Sequence, residues 1–99
     1  IIFINTIKSP SIEDEGYYLS IEVNKISINA RTKEGVFYGL QSLFQLMNEN
    51  TDLPCLKIRD YPAFKWRGMH LDVCRHFFPK EFVKKYIDYI AMYKMNTFQ

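Results

Sequence analysis

Three polar side chains stand close together late in the sequence: Asp72, Arg75 and His76. A guanidinium offers several fixed donors in one plane, which suits two oxygens held near each other, such as neighbouring hydroxyls or a carboxylate. From position alone Arg75 therefore has two readings, a grip on paired oxygens of a ligand or one half of a salt bridge. Asp72, three residues earlier, and His76, the next residue, are placed to support that fork or to satisfy each other. His70 reads as a hydrogen-bonded core residue rather than a catalyst. The acidic run Glu13-Asp14-Glu15 stands between Pro10 and Gly16 with no ligand-like cluster beside it, so it reads as a solvated loop and not a metal site. Cys55 and Cys74 fit neither a disulfide framework nor a zinc site. No metal or organic cofactor is implied.

These side chains need elements to hold them. Residues 1–7 are rich in β-branched types and predict a strand. From Tyr17, Leu19, Ile21 and Val23 share one face and Tyr18, Ser20 and Glu22 the other. After Asn24-Lys25, Ile26, Ile28 and Ala30 alternate with Ser27 and Asn29. Two period-2 runs with a short break predict a hairpin, apolar on one face, as in an antiparallel sheet covered on one side. The period then changes. Thr32 suits an N-cap, Glu34 suits the first turn, and Val36, Leu40, Leu43 and Met47, widened by Phe37 and Phe44, predict an amphipathic helix of about 14 residues. Gly35 and Gly39 lie one turn apart in it. Helix glycines cost about 1 kcal/mol each, which close approach of the helix to the sheet would explain. The polar run 48–52 is expected to end the helix. Residues 53–60 read as short and extended. Met69, Leu71 and Val73 then alternate with His70 and Asp72, predicting a strand from Arg67 that ends near Cys74 or Arg75. Pro79 suits a first helical turn. Phe82, Val83, Tyr86, Ile87, Ile90 and Ala91 form a stripe at helical spacing over 80–94, and 96–99 reads as the start of another strand.

Composition sets outer bounds. Apolar residues are 47% and charged residues 24%, an ordinary globular balance. The net charge of +2, from 13 basic and 11 acidic residues, is too mild for a nucleic-acid footprint. No run of about 18 apolar residues is present, so no membrane-spanning helix is expected. No basic n-region or cleavage site for a signal peptide is visible. Aromatic residues make 16% of the chain, which fits a rich core and leaves room for a surface meant for another domain. A strand–helix–strand unit cannot pair its own strand edges. The order of elements therefore points to a truncated chain whose second half belongs to a larger parallel sheet or barrel. The apolar stripe on the last helix then lacks a wall to cover, and self-association of the fragment is expected.

The stretch 60–79 resembles the entry into the catalytic barrel of the family 20 glycoside hydrolases, the β-N-acetylhexosaminidases. The matching residues are Asp60, Pro62, Phe64, Trp66-Arg67-Gly68, Leu71-Asp72 and Arg75-His76-Phe77. Lys94, Asn96 and Phe98 fit the family's next stretch. Upstream, Gly16-Tyr17, the hairpin and Gly35 to Leu43 resemble the small α+β domain that precedes the barrel. The sequence departs from the family at Ala63, often Arg there, and at Gln99, often His.

The resemblance implies an α+β fold: a small antiparallel sheet with a covering helix over 1–59, incomplete at its N-terminal side. Residues 60–99 would follow as the first strand, first helix and beginning of the second strand of a truncated (β/α)8 barrel. It implies retaining hydrolysis of terminal β-linked N-acetylglucosamine or N-acetylgalactosamine glycans, with the sugar's own acetamido oxygen as nucleophile. The adjacent Asp-Glu pair that orients this group and supplies the acid lies further along the family's chain. Asp14-Glu15 stands in the loop of the small domain and cannot be that pair. No catalytic residue is therefore expected in these 99 residues, and the chain alone is expected to be inactive. Arg75 matches the arginine that grips sugar hydroxyls, with Asp72 and His76 in support. Arg67 and Asp60 are expected to anchor the interdomain linker, and Trp66 to pack rather than stack on sugar. A secreted or periplasmic setting and the remainder of the barrel as partner follow from the same resemblance. The alternatives are a non-catalytic interaction or scaffold domain and a self-sufficient α+β carbohydrate-binding module. An adjacent Asp-Glu further along the parent gene would discriminate them.

Overall fold

Alternation builds the hairpin at the centre of the first sheet. In the computed structural model, which describes residues 1–49 and 52–99, β2 (Tyr17–Glu22) and β3 (Lys25–Ala30) pair antiparallel with Leu19 opposite Ile28 and Tyr17 opposite Ala30. Because side chains alternate along a strand, Tyr17, Leu19, Ile21, Ile28 and Ala30 all turn inward and are buried. Val23 falls in the two-residue turn and is exposed. Residues 53–60 go beyond a merely extended segment: β4 (Leu56–Asp60) pairs antiparallel with β2. With both edges of β2 occupied, β1 (Ile2–Thr6) joins the other edge of β3, where the chain direction makes the pairing parallel. The order is β1-β3-β2-β4, so the expected antiparallel sheet is a mixed one.

Helix α1 (Lys33–Glu49) covers this sheet. The Thr32 hydroxyl oxygen accepts a hydrogen bond from the Gly35 amide at 3.2 Å, the N-cap that its position suggested. The helix is somewhat longer than the periodicity indicated. Of the polar run expected to end it, Asn50 and Thr51 lie outside the described residues. The buried face also differs. Gly35, Tyr38, Gly39 and Leu43 are buried, whereas Phe37, Phe44 and Met47 of the expected stripe stay exposed. The two glycines supply the reason. A Cβ at Gly39 would lie 2.8 Å from Ile28 Cγ2, and one at Gly35 would meet the Gly16 carbonyl oxygen and sit 2.9 Å from the Ala30 Cβ. At these two positions the helix backbone rests directly on the sheet, and Tyr38 and Leu43 are buried on the face that the glycines bring close. The core joins Tyr17, Leu19, Ile21, Ile28, Ala30, Tyr38 and Leu43. Within it the Tyr17 hydroxyl donates to Asp60 Oδ2 at 3.0 Å and meets the Ser42 hydroxyl at 2.5 Å, so one phenol ties β2, α1 and β4 together.

The chain divides into two compact units, Ile1–Ala63 and Phe64–Gln99. The second holds a short parallel pair, β5 (Gly68–Met69) and β6 (Thr97–Phe98), linked by α2 (Lys80–Met92). Pro79 is the N-cap residue of α2, with φ −65° and ψ 157°. At the other end Lys94 takes φ 58°; its amide bonds the Ala91 carbonyl, and the Met95 amide bonds that of Ile90, both at 3.0 Å. This is a Schellman closure with lysine where glycine is usual. The turn is then fastened to the entry of β5. Arg67 Nε donates to the Lys94 carbonyl at 2.9 Å, and the Asn96 side chain accepts from the Arg67 amide at 3.0 Å while donating to the Lys65 carbonyl at 2.7 Å.

Candidate functional site

The strand expected from Arg67 to about Arg75 is shorter than its apolar alternation. Regular pairing covers Gly68 and Met69, and the Leu71 amide adds one bond, to the Gln99 carbonyl at 2.9 Å. A ladder extends only as far as its partner, and β6 comprises two residues. The chain then leaves the strand and bends through Cys74, Arg75 and His76.

Asp72 shapes that bend. Its Oδ1 accepts from the Cys74 amide at 2.9 Å and from the Arg75 amide at 3.2 Å. A carboxylate bonding amides two and three residues ahead closes a local turn without help from elsewhere. Its other oxygen lies 3.6 Å from Arg75 Nε. The Arg75 side chain is 92% exposed and that of Asp72 40%. An ion pair in such surroundings contributes at most about 1 kcal/mol. The contact uses Nε and leaves the terminal nitrogens of the fork outward. Among the described residues Arg75 has no other polar partner.

Structure and sequence reading meet unevenly at the other positions. His76 makes no hydrogen bond to Arg75; its ring packs on Phe78, 4.7 Å between centroids. His70 is exposed rather than in a core, and its carbonyl accepts from the Tyr86 hydroxyl at 3.4 Å. Trp66 is 69% exposed, with its ring edge against Gly68. Asp60 serves Tyr17 within the first unit, and Arg67 bonds the Phe64 and Lys94 carbonyls within the second. On α2, Ile90 is buried and Val83 and Tyr86 are half-buried, while Phe82 and Ile87 are exposed. Sequence reasoning missed that Phe78, Phe82 and Tyr86 line up beside the bend. Phe82 and Tyr86 belong to the stripe expected on α2, and Phe78 extends it by the same spacing of four, but Phe78 stands before Pro79 and so outside the helix that the stripe was read on. Among the described residues no group of three His, Cys, Asp or Glu gathers as a metal cage, and no helix is long and apolar enough to cross a membrane.

A strand, a helix and a second strand parallel to the first are the repeating unit of β/α barrels, and the polar bend follows the C-terminal end of the first strand. Comparison with known proteins agrees. Residues 1–61 match the model of glycosyl hydrolase family 20, domain 2, and residues 64–99 match the catalytic domain of the same family. The chain belongs to glycosyl hydrolase family 20, as the motif at 60–79 implied. A beta-hexosaminidase of Porphyromonas gingivalis is 38% identical over 107 residues, matching 98% of this chain and 14% of its own length. The structure of an exo β-N-acetylglucosaminidase from Vibrio harveyi, in complex with N-acetylglucosamine, superposes with TM-score 0.86 at 33% identity, over 98% of this chain and 16% of its own. A chitobiase from Flavobacterium johnsoniae gives 0.85 at 42% identity, over 98% and 16%. The chain thus spans less than a fifth of the length of each of these three.

Proposed function

We propose that this chain is part of a retaining β-N-acetylhexosaminidase that removes terminal β-linked N-acetylglucosamine or N-acetylgalactosamine from glycans, and that Arg75 is its sugar-gripping residue. Asp72 supports it by shaping the bend, and His76 by joining the bend to neighbouring rings. The observation that carries the reading is the Arg75 fork. It stands after the C-terminal end of β5, where barrel enzymes place their sites, and its backbone is fixed by Asp72 while its terminal nitrogens stay outward. Two neighbouring hydroxyls on a pyranose ring match the spacing of two guanidinium donors. The acid and the acetamido-orienting carboxylate belong to the family's Asp-Glu pair, which these residues do not include. The 99-residue chain is therefore inactive by itself. Its partner is the remainder of the barrel, and in isolation the exposed side of α2 favours self-association.

The test is Arg75→Lys in the full-length hydrolase that carries this chain. Lysine keeps the charge and loses the planar fork. With hydrogen bonds to a charged group at stake, kcat/KM for a chromogenic N-acetylglucosaminide is expected to fall about 10- to 100-fold. Unchanged efficiency, or turnover by the purified 99-residue chain, would overturn the assignment.

A further inference from the structure

Asp72 closes the Arg75 bend on itself but does not fix the bend to the rest of the second unit, because every bond it makes there spans three residues or fewer. The anchors lie on either side. Ahead of the bend, the Leu71 amide bonds the Gln99 carbonyl and the Tyr86 hydroxyl reaches the His70 carbonyl. Behind it, the His76 ring leans on Phe78, and Phe78 stacks on Phe82 with centroids 4.5 Å apart and planes 19° from parallel. Phe82 continues to Tyr86 at 6.3 Å, and Tyr86 to Phe98 on β6 at 5.4 Å. One row of rings thus starts at the residue after Arg75 and ends on the strand that pairs with β5. Aromatic side chains have two rotatable bonds and stack with a preferred geometry, so such a row transmits position better than aliphatic contacts do.

We infer that Phe82 is a positioning residue for Arg75, holding the bend against α2 through the Phe78 stack, with Tyr86 clamping the other side. The inference rests on the sugar-gripping role of Arg75 and adds the element that aims it. A fork that must meet two hydroxyls tolerates little angular error, and the turn closed by Asp72 can swing as a unit unless something outside it is attached.

Two experiments separate this inference from the reading it rests on. The first uses the full-length hydrolase that carries this chain and backbone 15N relaxation of the Cys74 and Arg75 amides. Phe82→Leu is expected to lower the order of the Cys74 and Arg75 amides, and Phe82→Tyr, which keeps the stack, to restore it. Unchanged order in Phe82→Leu would overturn the inference, whatever Arg75 binds. The second uses the full-length hydrolase. Phe82→Leu is expected to raise KM for a chromogenic N-acetylglucosaminide about 3- to 10-fold, roughly the worth of one aromatic stack, with kcat held. Phe82→Tyr is expected to keep the parent KM. Val83→Ala, on the same helix outside the row, is the control for lost stability and is expected to leave KM unchanged. An equal KM rise in Val83→Ala would reduce Phe82 to a packing residue and overturn the inference. If Arg75→Lys lowers efficiency while Phe82→Leu does not, the grip stands and the positioning role falls. If Arg75→Lys changes nothing, the grip falls, and the relaxation measurement still decides whether Phe82 orders the bend.

Discussion

Replacing Gly39 with alanine sets two effects of opposite sign against each other. In an exposed helix interior, alanine is more favourable than glycine by about 1 kcal/mol. At Gly39 the new methyl would stand 2.8 Å from Ile28 Cγ2 and 3.2 and 3.3 Å from Tyr17 Cδ2 and Cγ, where carbon atoms prefer about 3.5–4.0 Å. Relief requires either Ile28 or the helix to move by about 1 Å to reach that spacing. Ile28 is fully buried and β-branched, so it has no spare rotamer. The Tyr17 ring is held by its hydroxyl at Asp60 and Ser42. Retreat of α1 draws its own Tyr38 and Leu43 out of the core they share with Leu19 and Ile28 of the sheet. Overpacking of this kind costs about 1–3 kcal/mol. With both neighbours pinned the upper end applies, so Gly39→Ala is expected to lose about 2 kcal/mol net of the propensity gain. Gly35→Ala should lose more, since its obstacle is the Gly16 carbonyl, part of the backbone, which no rotamer change can clear. Native-state amide exchange in the 99-residue chain reads this directly. The protected amides of β2 and β3 should exchange about 30-fold faster in Gly39→Ala. Exchange as slow as in the parent, or slower, would show that the close approach of α1 does not constrain residue 39.

Two further substitutions probe the units separately. Tyr17→Phe removes the hydroxyl that ties β2 to α1 and β4, and should destabilise the first unit by about 1–3 kcal/mol on the same exchange measurement; an unchanged rate would mean that these bonds are matched by water in the unfolded chain. Lys94→Gly relieves a left-handed residue at the end of α2 and should stabilise the second unit by about 1 kcal/mol in urea unfolding followed by Trp66, the chain's single tryptophan; a loss of stability would show that the lysine contributes more than its backbone strain costs.

The sequence displayed some of this plainly. The hairpin was legible because strict alternation from Tyr17 to Ala30 has one structural meaning, and Thr32 marked the start of α1 by its chemistry. The buried face of α1 was misread because hydrophobic periodicity gives glycine no weight, although Gly35 and Gly39 mark the contact. That both glycines needed a reason was visible, and the reason is the one expected. Pairing was less legible than strandedness. The parallel register of β1 depends on which edge remains free after β2 and β3 have paired, a non-local matter. In 56–60, Lys57 and Arg59 on the solvent face hid a strand that shields its inner face with Leu56 and Ile58. At the site, the spacing of Asp72 and Arg75 foretold their contact, whereas the partner of His76 is Phe78.

The edge strand β1 has a consequence for handling this chain. All five of its residues are exposed, and Ile1 to Ile7 carries no charged side chain and no proline. Among the described residues its outer row of amides and carbonyls faces no partner strand in the order β1-β3-β2-β4. Uncharged, β-prone segments of this length with an open edge are the seeds of cross-β fibrils. The Lys25 ammonium over the Phe3 ring, 5.3 Å from its centroid, sets one charge against the face of that strand. Ile2–Thr6 is therefore the segment through which the chain is expected to aggregate at high protein concentration, and dilute samples suit the exchange measurements.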